Sequence, residues 1–296
     1  ANYSDPTNDR FTDDPSFIGA AYDFSGVGRS TNTTSTRWGT LIGENYFLSA
    51  NHFHPDVGSQ IQFTVENSAS DPTFTYTVAG GFLVAGTDFW IGYTATTMDL
   101  SLARYTYSTT SADTLAETGV SGADVLMSGD RVAGQAGSPS DHTVGTNQLE
   151  SFRNAGSTAM NTPQATVTFG TAALFDQIVT FENLPGDDTL TFTNYESQVA
   201  SGDSGSPLFS VAEGSLFLQG TAWAVASLSG NFVDTTGPAG GSMDPLESRN
   251  ASFYNYIGSY ETAIADTISM VPSPVPEPSS TLLSLLSLPL ILRRKR

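Results

Sequence analysis

Short runs of β-branched and aromatic residues, separated by clusters of Gly, Asn, Asp and Ser, fill most of residues 15–235. Several runs alternate apolar and polar positions, the pattern of half-buried antiparallel strands. The clearest runs are 39–42, 46–50, 61–65, 74–78, 165–169 and 190–193. This pattern predicts an all-β fold.

One segment near the C-terminus has a helical period instead. Phe253, Ile257, Tyr260, Ile264 and Ile268 are spaced by 4, 3, 4 and 4 positions, which places them on one face of a helix. We therefore expect a single amphipathic helix ending near Ile268.

The order of these patterns suggests how the chain is divided. The polar stretch 107–113 is typical of a linker, so it separates two β units. We predict an acidic N-terminal arm at 1–16, a first β unit at 17–115, a second at 116–268, a proline-rich spacer at 269–280, and an apolar segment with a basic tail at 281–296.

Composition excludes several classes of function. The 296 residues include 30 acidic and 11 basic ones, for a net charge of −19, and four of the basic residues are 293–296. Nucleic acid is therefore not an expected partner, because phosphate binding needs clustered basic residues. The absence of cysteine excludes disulfides, Cys-ligated zinc and thiol catalysis.

No metal or cofactor is expected. Asp5, Asp9, Asp13 and Asp14 could attract calcium, but their irregular spacing matches no calcium-binding loop. The favoured interpretation is a solvated acidic arm.

The strongest candidate for chemistry is Ser-Gly-Asp-Ser-Gly-Ser-Pro at 201–207. Glycines on both sides of Ser204 allow a tight turn that can bring backbone amides to a reacting carbonyl. The same string is also typical of a surface turn. A serine nucleophile further needs a general base and a carboxylate that orients it.

The chain has three histidines that could act as this base. His52 and His54 directly follow the run 46–50, and His142 lies in a polar loop. An isolated histidine is more often structural or solvated, which is the favoured interpretation of His54 and His142.

Three motifs together resemble a known family. Ser49-Ala50-Asn51-His52 is similar to a Thr-Ala-Ala-His motif, residues 99–103 (Asp-Leu-Ser-Leu-Ala) to Asp-Ile-Ala-Leu-Leu, and residues 202–207 to Gly-Asp-Ser-Gly-Gly-Pro. They occur in the order His, Asp, Ser, at separations of 47 and 105 positions. Over residues 17–268 the chain resembles the chymotrypsin/trypsin-like serine proteases.

This resemblance implies a fold and a reaction. It implies two six-stranded antiparallel β-barrels with the site between them and a C-terminal helix. Ser204 would be the nucleophile, His52 the general base and Asp99 its orienting carboxylate, with the amides of Gly202 and Ser204 as the oxyanion hole. The substrate would be a protein or peptide.

The resemblance also implies a pocket for the side chain before the cleaved bond. Gln198 would lie at its floor, and its walls would include Ala222, Trp223, Ala224 and Val225. No aspartate is available at the floor to hold Arg or Lys. We expect a preference for small or medium uncharged side chains.

Two departures from the family pattern concern how the site is held. Phe53 stands where most members have a disulfide cysteine. In members made as zymogens, a freed N-terminus pairs with the aspartate before the serine, here Asp203. Residues 17–20 (Phe-Ile-Gly-Ala) are weakly similar to the sequence of that terminus. Cleavage before Phe17 and a different donor for Asp203 both stay open.

The C-terminus resembles the PEP-CTERM sorting signal. Val275-Pro276-Glu277-Pro278 is followed by the apolar run 281–292 and the basic residues 293–296. The apolar run is shorter than the ~20 residues that span a bilayer as a helix. The resemblance implies export, transient membrane contact through 281–296, removal of the tail by an exosortase-type sorting enzyme, and a final place at the cell surface or outside the cell.

Two other functions compete with a protease. A catalytically silent relative could serve as a surface binding or matrix protein, although the presence of His52, Asp99 and Ser204 favours an enzyme. A lipase or esterase is disfavoured because the serine motif lacks the Gly-x-Ser-x-Gly elbow and the chain lacks α/β alternation.

Overall fold

The computed structural model describes residues 6–31, 37–111, 123–130, 142–149, 151–161, 165–168, 171–181, 197–228, 233–234 and 249–275. These residues form mainly antiparallel strands and one α-helix, which confirms the all-β class. The predicted strand at 190–193, the boundary between 115 and 116, and the tail from 276 onward lie outside the described residues. In the described ranges, no helix is both long and apolar enough to span a bilayer.

The first β unit is a closed barrel of six strands. The strands are β1 Val27–Ser30, β2 Trp38–Leu41, β3 Tyr46–Ala50, β4 Gln60–Thr64, β5 Thr73–Leu83 and β6 Phe89–Thr94. Their order around the barrel is β1-β2-β3-β6-β5-β4, and β4 pairs with β1 to close it. Apolar residues that alternate along β2–β4, such as Leu41, Phe47 and Ile61, fill its interior.

The second β unit has more strands than expected. Its described strands are β7 Ala123–Gly129, β8 Thr143–Leu149, β9 Ser151–Arg153, β10 Ala159–Asn161, β11 Ala165–Thr168, β12 Gln177–Phe181, β13 Pro207–Ala212, β14 Ser215–Leu228, β15 Val233–Asp234 and β16 Arg249–Tyr256. They form one ten-stranded sheet in the order β15-β11-β10-β9-β12-β16-β14-β13-β7-β8. Among the described residues, the short strands β9, β10, β11 and β15 extend this sheet beyond β12.

The predicted C-terminal helix exists but is shorter than its apolar pattern suggested. A 3₁₀ turn, Ile257–Tyr260, leads into helix α1, Glu261–Ser269, and Ile257 and Ile264 are buried as expected. Phe253 is not helical. It lies in β16, where it pairs with β12 on one side and β14 on the other, and this pairing uses its backbone hydrogen-bonding groups.

Part of the N-terminal arm is packed rather than solvated. Asn8 donates from Nδ2 to the carbonyl of Val144 at 2.7 Å, and the amide of Arg10 donates to the carbonyl of His142 at 2.9 Å. The Arg10 guanidinium, 1% exposed, reaches the first unit and donates to the carbonyls of Thr64 and Glu66. The arm therefore fastens the two β units to each other.

Arg10→Met is expected to lower the free energy of unfolding by at least about 2 kcal/mol, because buried acceptors lose their donor. Besides the two carbonyls, these acceptors are Asn67 Oδ1 at 3.0 Å and His142 Nδ1 at 3.3 Å. Urea denaturation measures the change. Arg37→Met is the comparison, because Arg37 pairs with the exposed Asp56. An equal or smaller loss for Arg10→Met would contradict this role.

The first residues of the proline-rich spacer also pack on the first unit. Val271 contacts the main apolar cluster, Asn45 Nδ2 donates to the carbonyl of Pro272 at 3.2 Å, and the amide of Val275 donates to the carbonyl of Ala95 at 2.9 Å. The spacer is thus attached to the fold as far as residue 275.

Candidate active site

The loop that carries Ser204 is shaped by two glycines with positive φ. Gly202 has φ 109° and Gly205 has φ 87°, a region that favours glycine. A Cβ on Gly205 would lie 3.0 Å from Ser49 Oγ and 3.1 Å from the amide nitrogen of Ala50. The missing side chain lets the serine loop of the second unit approach the end of β3 in the first.

This approach brings Ser204 to His52. His52 lies in the 3₁₀ turn Asn51–Phe53 that follows β3, and its Nε2 is 2.8 Å from Ser204 Oγ. Its Nδ1 is 2.5 Å from Asp88 Oδ2. A carboxylate only accepts hydrogen bonds, so Nδ1 carries the proton and Nε2 accepts from the serine hydroxyl. This is the arrangement of a serine nucleophile with its base.

The carboxylate at His52 is Asp88, not Asp99. Asp88 precedes β6, which pairs with β3 so that Phe89 lies opposite Ala50. Its Oδ1 also accepts the His52 amide at 3.0 Å. Asp99 is exposed, and its carboxylate accepts the amide and hydroxyl of Ser101 at 2.9 and 2.6 Å, which lowers its pKa. The assignment of Asp99 is wrong because strand pairing places the start of β6 beside the histidine.

The sequence held a signal that separates these two aspartates. Asp88 is followed by the buried strand residues Phe89 and Ile91, each 0% exposed, whereas Asp99 is followed by Leu100, which is 83% exposed. An aspartate that starts a buried strand can be held next to the strand before the histidine. Asp99 instead begins a surface turn.

A further polar residue at the site comes from the second unit. Asn255, in β16, is fully buried. With its amide oxygen turned toward Asp88, it accepts the amides of Asp88 and Phe89, both at 3.1 Å. Asn255 therefore holds the backbone at Asp88, and its only hint in the sequence is a polar residue between Tyr254 and Tyr256.

The proposed oxyanion-hole residues, Gly202 and Ser204, flank Asp203 in the turn. Asp203 is 1% exposed, and its carboxylate accepts the amides of Asp130 and Ala200, each at 2.7 Å. Burial raises the pKa of Asp203 to about 7, although these two hydrogen bonds act in the opposite direction.

The structure also shows which groups donate hydrogen bonds to Asp203, for which a chain terminus at Phe17 and a different donor were both open. The amide of Phe17 donates to the carbonyl of Asp14 at 3.0 Å, and its ring lies in the main apolar cluster. The carboxylate of Asp203 takes its donors from backbone amides of the second unit. In this structure Asp203 therefore has donors other than a chain terminus at Phe17.

A pocket of about 260 Å³ lies beside Ser204. It is lined by Val199, Ala200, Ser201, Gly202, Ser204, Ala222, Trp223, Ala224 and Val225. The four predicted wall residues, all in β14, are in this set. Gln198, the predicted floor, precedes the first lining residue, and the described lining does not include it. The Trp223 ring packs edge-on against Phe175, with centroids 5.1 Å apart.

The other two histidines have structural surroundings. His54 stacks on Trp90 with ring centroids 4.0 Å apart. His142 is 1% exposed, and burial together with Arg10 holds its pKa well below the usual value, so it stays neutral. Neither environment is that of a catalytic base.

Comparisons with known proteins support the fold. No protein family and no curated protein matches the sequence. Among solved structures, human heparin binding protein is 14% identical with a TM-score of 0.49, and a mutant of that protein is 14% identical with a TM-score of 0.51. Each alignment covers 86% of this chain and 95% of the other. The strand architecture and the similarity to the mutant structure define the fold of this chain as trypsin-like.

Proposed function

We propose that this protein is a serine endopeptidase that uses Ser204, His52 and Asp88. The observation that carries the proposal is the hydrogen-bond chain from Ser204 Oγ through the His52 ring to the Asp88 carboxylate. This chain lies between the two β units and beside a pocket of suitable size for one side chain.

The reaction proceeds in two steps. Ser204 Oγ attacks the peptide carbonyl while His52 Nε2 takes the hydroxyl proton, and His52 then gives this proton to the leaving amine. Water attacks the acyl-enzyme with His52 again as base, which releases the acid and restores Ser204. Asp88 stabilises the imidazolium, and the amides of Gly202 and Ser204 bind the developing oxyanion.

The pocket favours small or medium uncharged residues before the cleaved bond. Ala224 and Val225 narrow it, and no carboxylate is among its described lining residues. Each misfit methylene is expected to cost about 1 to 3 kcal/mol in specificity. Mass spectrometry of proteome-derived peptides digested by the purified protein measures both activity and preference. Dominant cleavage after Arg or Lys would contradict this specificity, and no cleavage by the folded protein would contradict the proposed function.

A second candidate is a catalytically silent surface binding or matrix protein. It is favoured by the structural similarity to a mutant of human heparin binding protein, which is named for a binding function. A net charge of −19 opposes binding of a polyanion to this chain, however. The hydrogen-bonded serine and histidine favour the enzyme.

We also propose that the protein is exported and that its tail, by its resemblance to a PEP-CTERM signal, is removed by a sorting enzyme after transient membrane contact. The support is the sequence layout alone: Pro276-Glu277-Pro278, an apolar run and a basic end. Positive charges beside an apolar segment favour retention of that end in the cytoplasm.

Deletion of 276–296 is expected to leave activity and the free energy of unfolding unchanged but to shift the protein to the soluble fraction of its host. Deletion of 271–296 is expected also to lower the free energy of unfolding by about 1 to 2 kcal/mol, because it removes the Val271 contact and two hydrogen bonds to the first β unit. Fractionation and urea denaturation measure these effects. Identical distribution of full-length and truncated protein would contradict the sorting role.

A further inference from the structure

Three charged side chains lie buried where the two β units meet behind the serine loop. Arg29 in β1, Asp130 after β7 and Asp203 are 2%, 4% and 1% exposed. Arg29 Nη2 donates to Asp130 Oδ1, and the guanidinium lies 4.6 Å from the centroid of the Trp38 ring. The amide of Asp130 then donates to Asp203 Oδ1 at 2.7 Å. We call this set the Arg29 cluster.

The Arg29 cluster places two acidic side chains and one guanidinium in a buried site. Two carboxylates face one guanidinium, and a buried charge is costly unless it is paired and hydrogen-bonded. Close packing is also built in at Gly129, where a Cβ would lie 2.9 Å from Asp203 Oδ2. Burial of Asp203 is thus unfavourable by itself, and the amides of Asp130 and Ala200 offset part of this cost. The contribution of the Arg29–Asp130 pair is geometric: Arg29 fixes the Asp130 side chain, and the Asp130 amide binds Asp203.

Asp203 is hydrogen-bonded to both sides of the turn whose amides are proposed to bind the oxyanion. Its Oδ2 accepts the amide of Ala200 at 2.7 Å, and its own amide donates to the carbonyl of Ala200 at 3.1 Å. The amide of Ser206 donates to the carbonyl of Asp203 at 2.8 Å. Movement of the Asp203 side chain would therefore displace the peptide groups between 200 and 206, including the amides of Gly202 and Ser204.

We propose that Arg29 and Asp130 are positioning residues that hold Asp203, and through it the amides of Gly202 and Ser204, in the orientation that binds an oxyanion. The inference rests on the proposed peptidase function. In this proposal Arg29, from the first β unit, helps to shape the oxyanion hole that the amides of the second β unit form. The donors are internal to the chain, so the hole forms without a chain terminus created at Phe17.

The test is the double variant Arg29→Met with Asp130→Asn, which removes both charges of the ion pair together. We expect kcat on a peptide substrate to fall about 100- to 1000-fold with KM changed less than about threefold. Arg29→Lys should keep kcat within about tenfold of the wild-type value, because one donor to Asp130 Oδ1 is preserved.

Arg10→Met is the matched control, because it removes another buried arginine that links the two β units but does not contact Asp203. It should lower stability and leave kcat within about threefold. The same loss of kcat in Arg10→Met as in the double variant would overturn the proposal, since the effect would then reflect loosened β units.

Hydrogen exchange provides a readout that does not depend on activity. Amide exchange in a peptide covering 199–206 should be about tenfold faster in the double variant than in the wild type, and unchanged in Arg10→Met. Unchanged exchange and unchanged kcat in the double variant would overturn the proposal. If the wild type hydrolyses no peptide, the peptidase proposal fails while the exchange result still decides whether Arg29 and Asp130 position the turn.

Discussion

Asp88→Asn is expected to lower kcat about 10,000-fold, because an asparagine amide at His52 Nδ1 stabilises the wrong imidazole tautomer. Asp99→Asn is expected to leave kcat unchanged, because Asp99 is exposed and bonded to Ser101. Steady-state kinetics on one peptide substrate, with circular dichroism to verify folding, distinguishes the two aspartates.

The pair of variants is a matched one, since each changes a single carboxylate to an amide of the same shape. Asp88 is mostly buried, its side chain being 10% exposed, so its variant needs the folding check more than the other. A greater loss for Asp99→Asn than for Asp88→Asn would restore the assignment based on sequence similarity and contradict the geometry.

Ser204→Ala and His52→Ala are each expected to lower kcat about a million-fold. Residues of a catalytic triad act as a unit, so a variant that carries both changes should be little worse than either alone. The measurement is the rate of peptide hydrolysis at saturating substrate. His54→Ala is the control and should keep most of the activity, because His54 stacks on Trp90 and is not bonded to Ser204.

Full activity of a folded Ser204→Ala variant would contradict the nucleophile assignment. Additive losses in the double variant would contradict the idea that serine and histidine work together through one hydrogen bond.

The sequence predicted those features that depend on local patterns. Alternating runs located β2 to β5, and the period of Ile257, Ile264 and Ile268 located the terminal helix. Glycines around Ser204 predicted a tight turn, and Gly202 and Gly205 have the positive φ that such a turn needs. Backbone conformation at these points depends on neighbouring residues, so a local motif is informative.

Features that depend on pairing between distant segments were not predictable in the same way. The choice between Asp88 and Asp99 depends on which strand lies beside β3, and barrel closure decides that. The apolar run after Asp88 indicates a buried strand, but it does not show which strand is its neighbour. The buried Asn255 likewise acts across the two β units, where sequence spacing carries no information.

Charge patterns were misleading where polar residues are buried. The acidic residues at 1–16 predicted a solvated arm, yet Asn8, Asp9 and Arg10 are each 5% exposed or less. Arg10 binds acceptors in the first unit at positions 64, 66 and 67. A buried arginine cannot be distinguished from a surface one until the chain's distant acceptors are brought together.

Labelling with a fluorophosphonate probe tests the central claim most directly, because the probe reacts only with a serine activated by a neighbouring base. The folded wild-type protein is expected to be labelled once, with the label mapped to Ser204. Ser204→Ala and His52→Ala are expected to lose the label, and Asp99→Asn to keep it. Absence of labelling in the folded wild type, or equal labelling of Ser204→Ala, would contradict an active serine at this site.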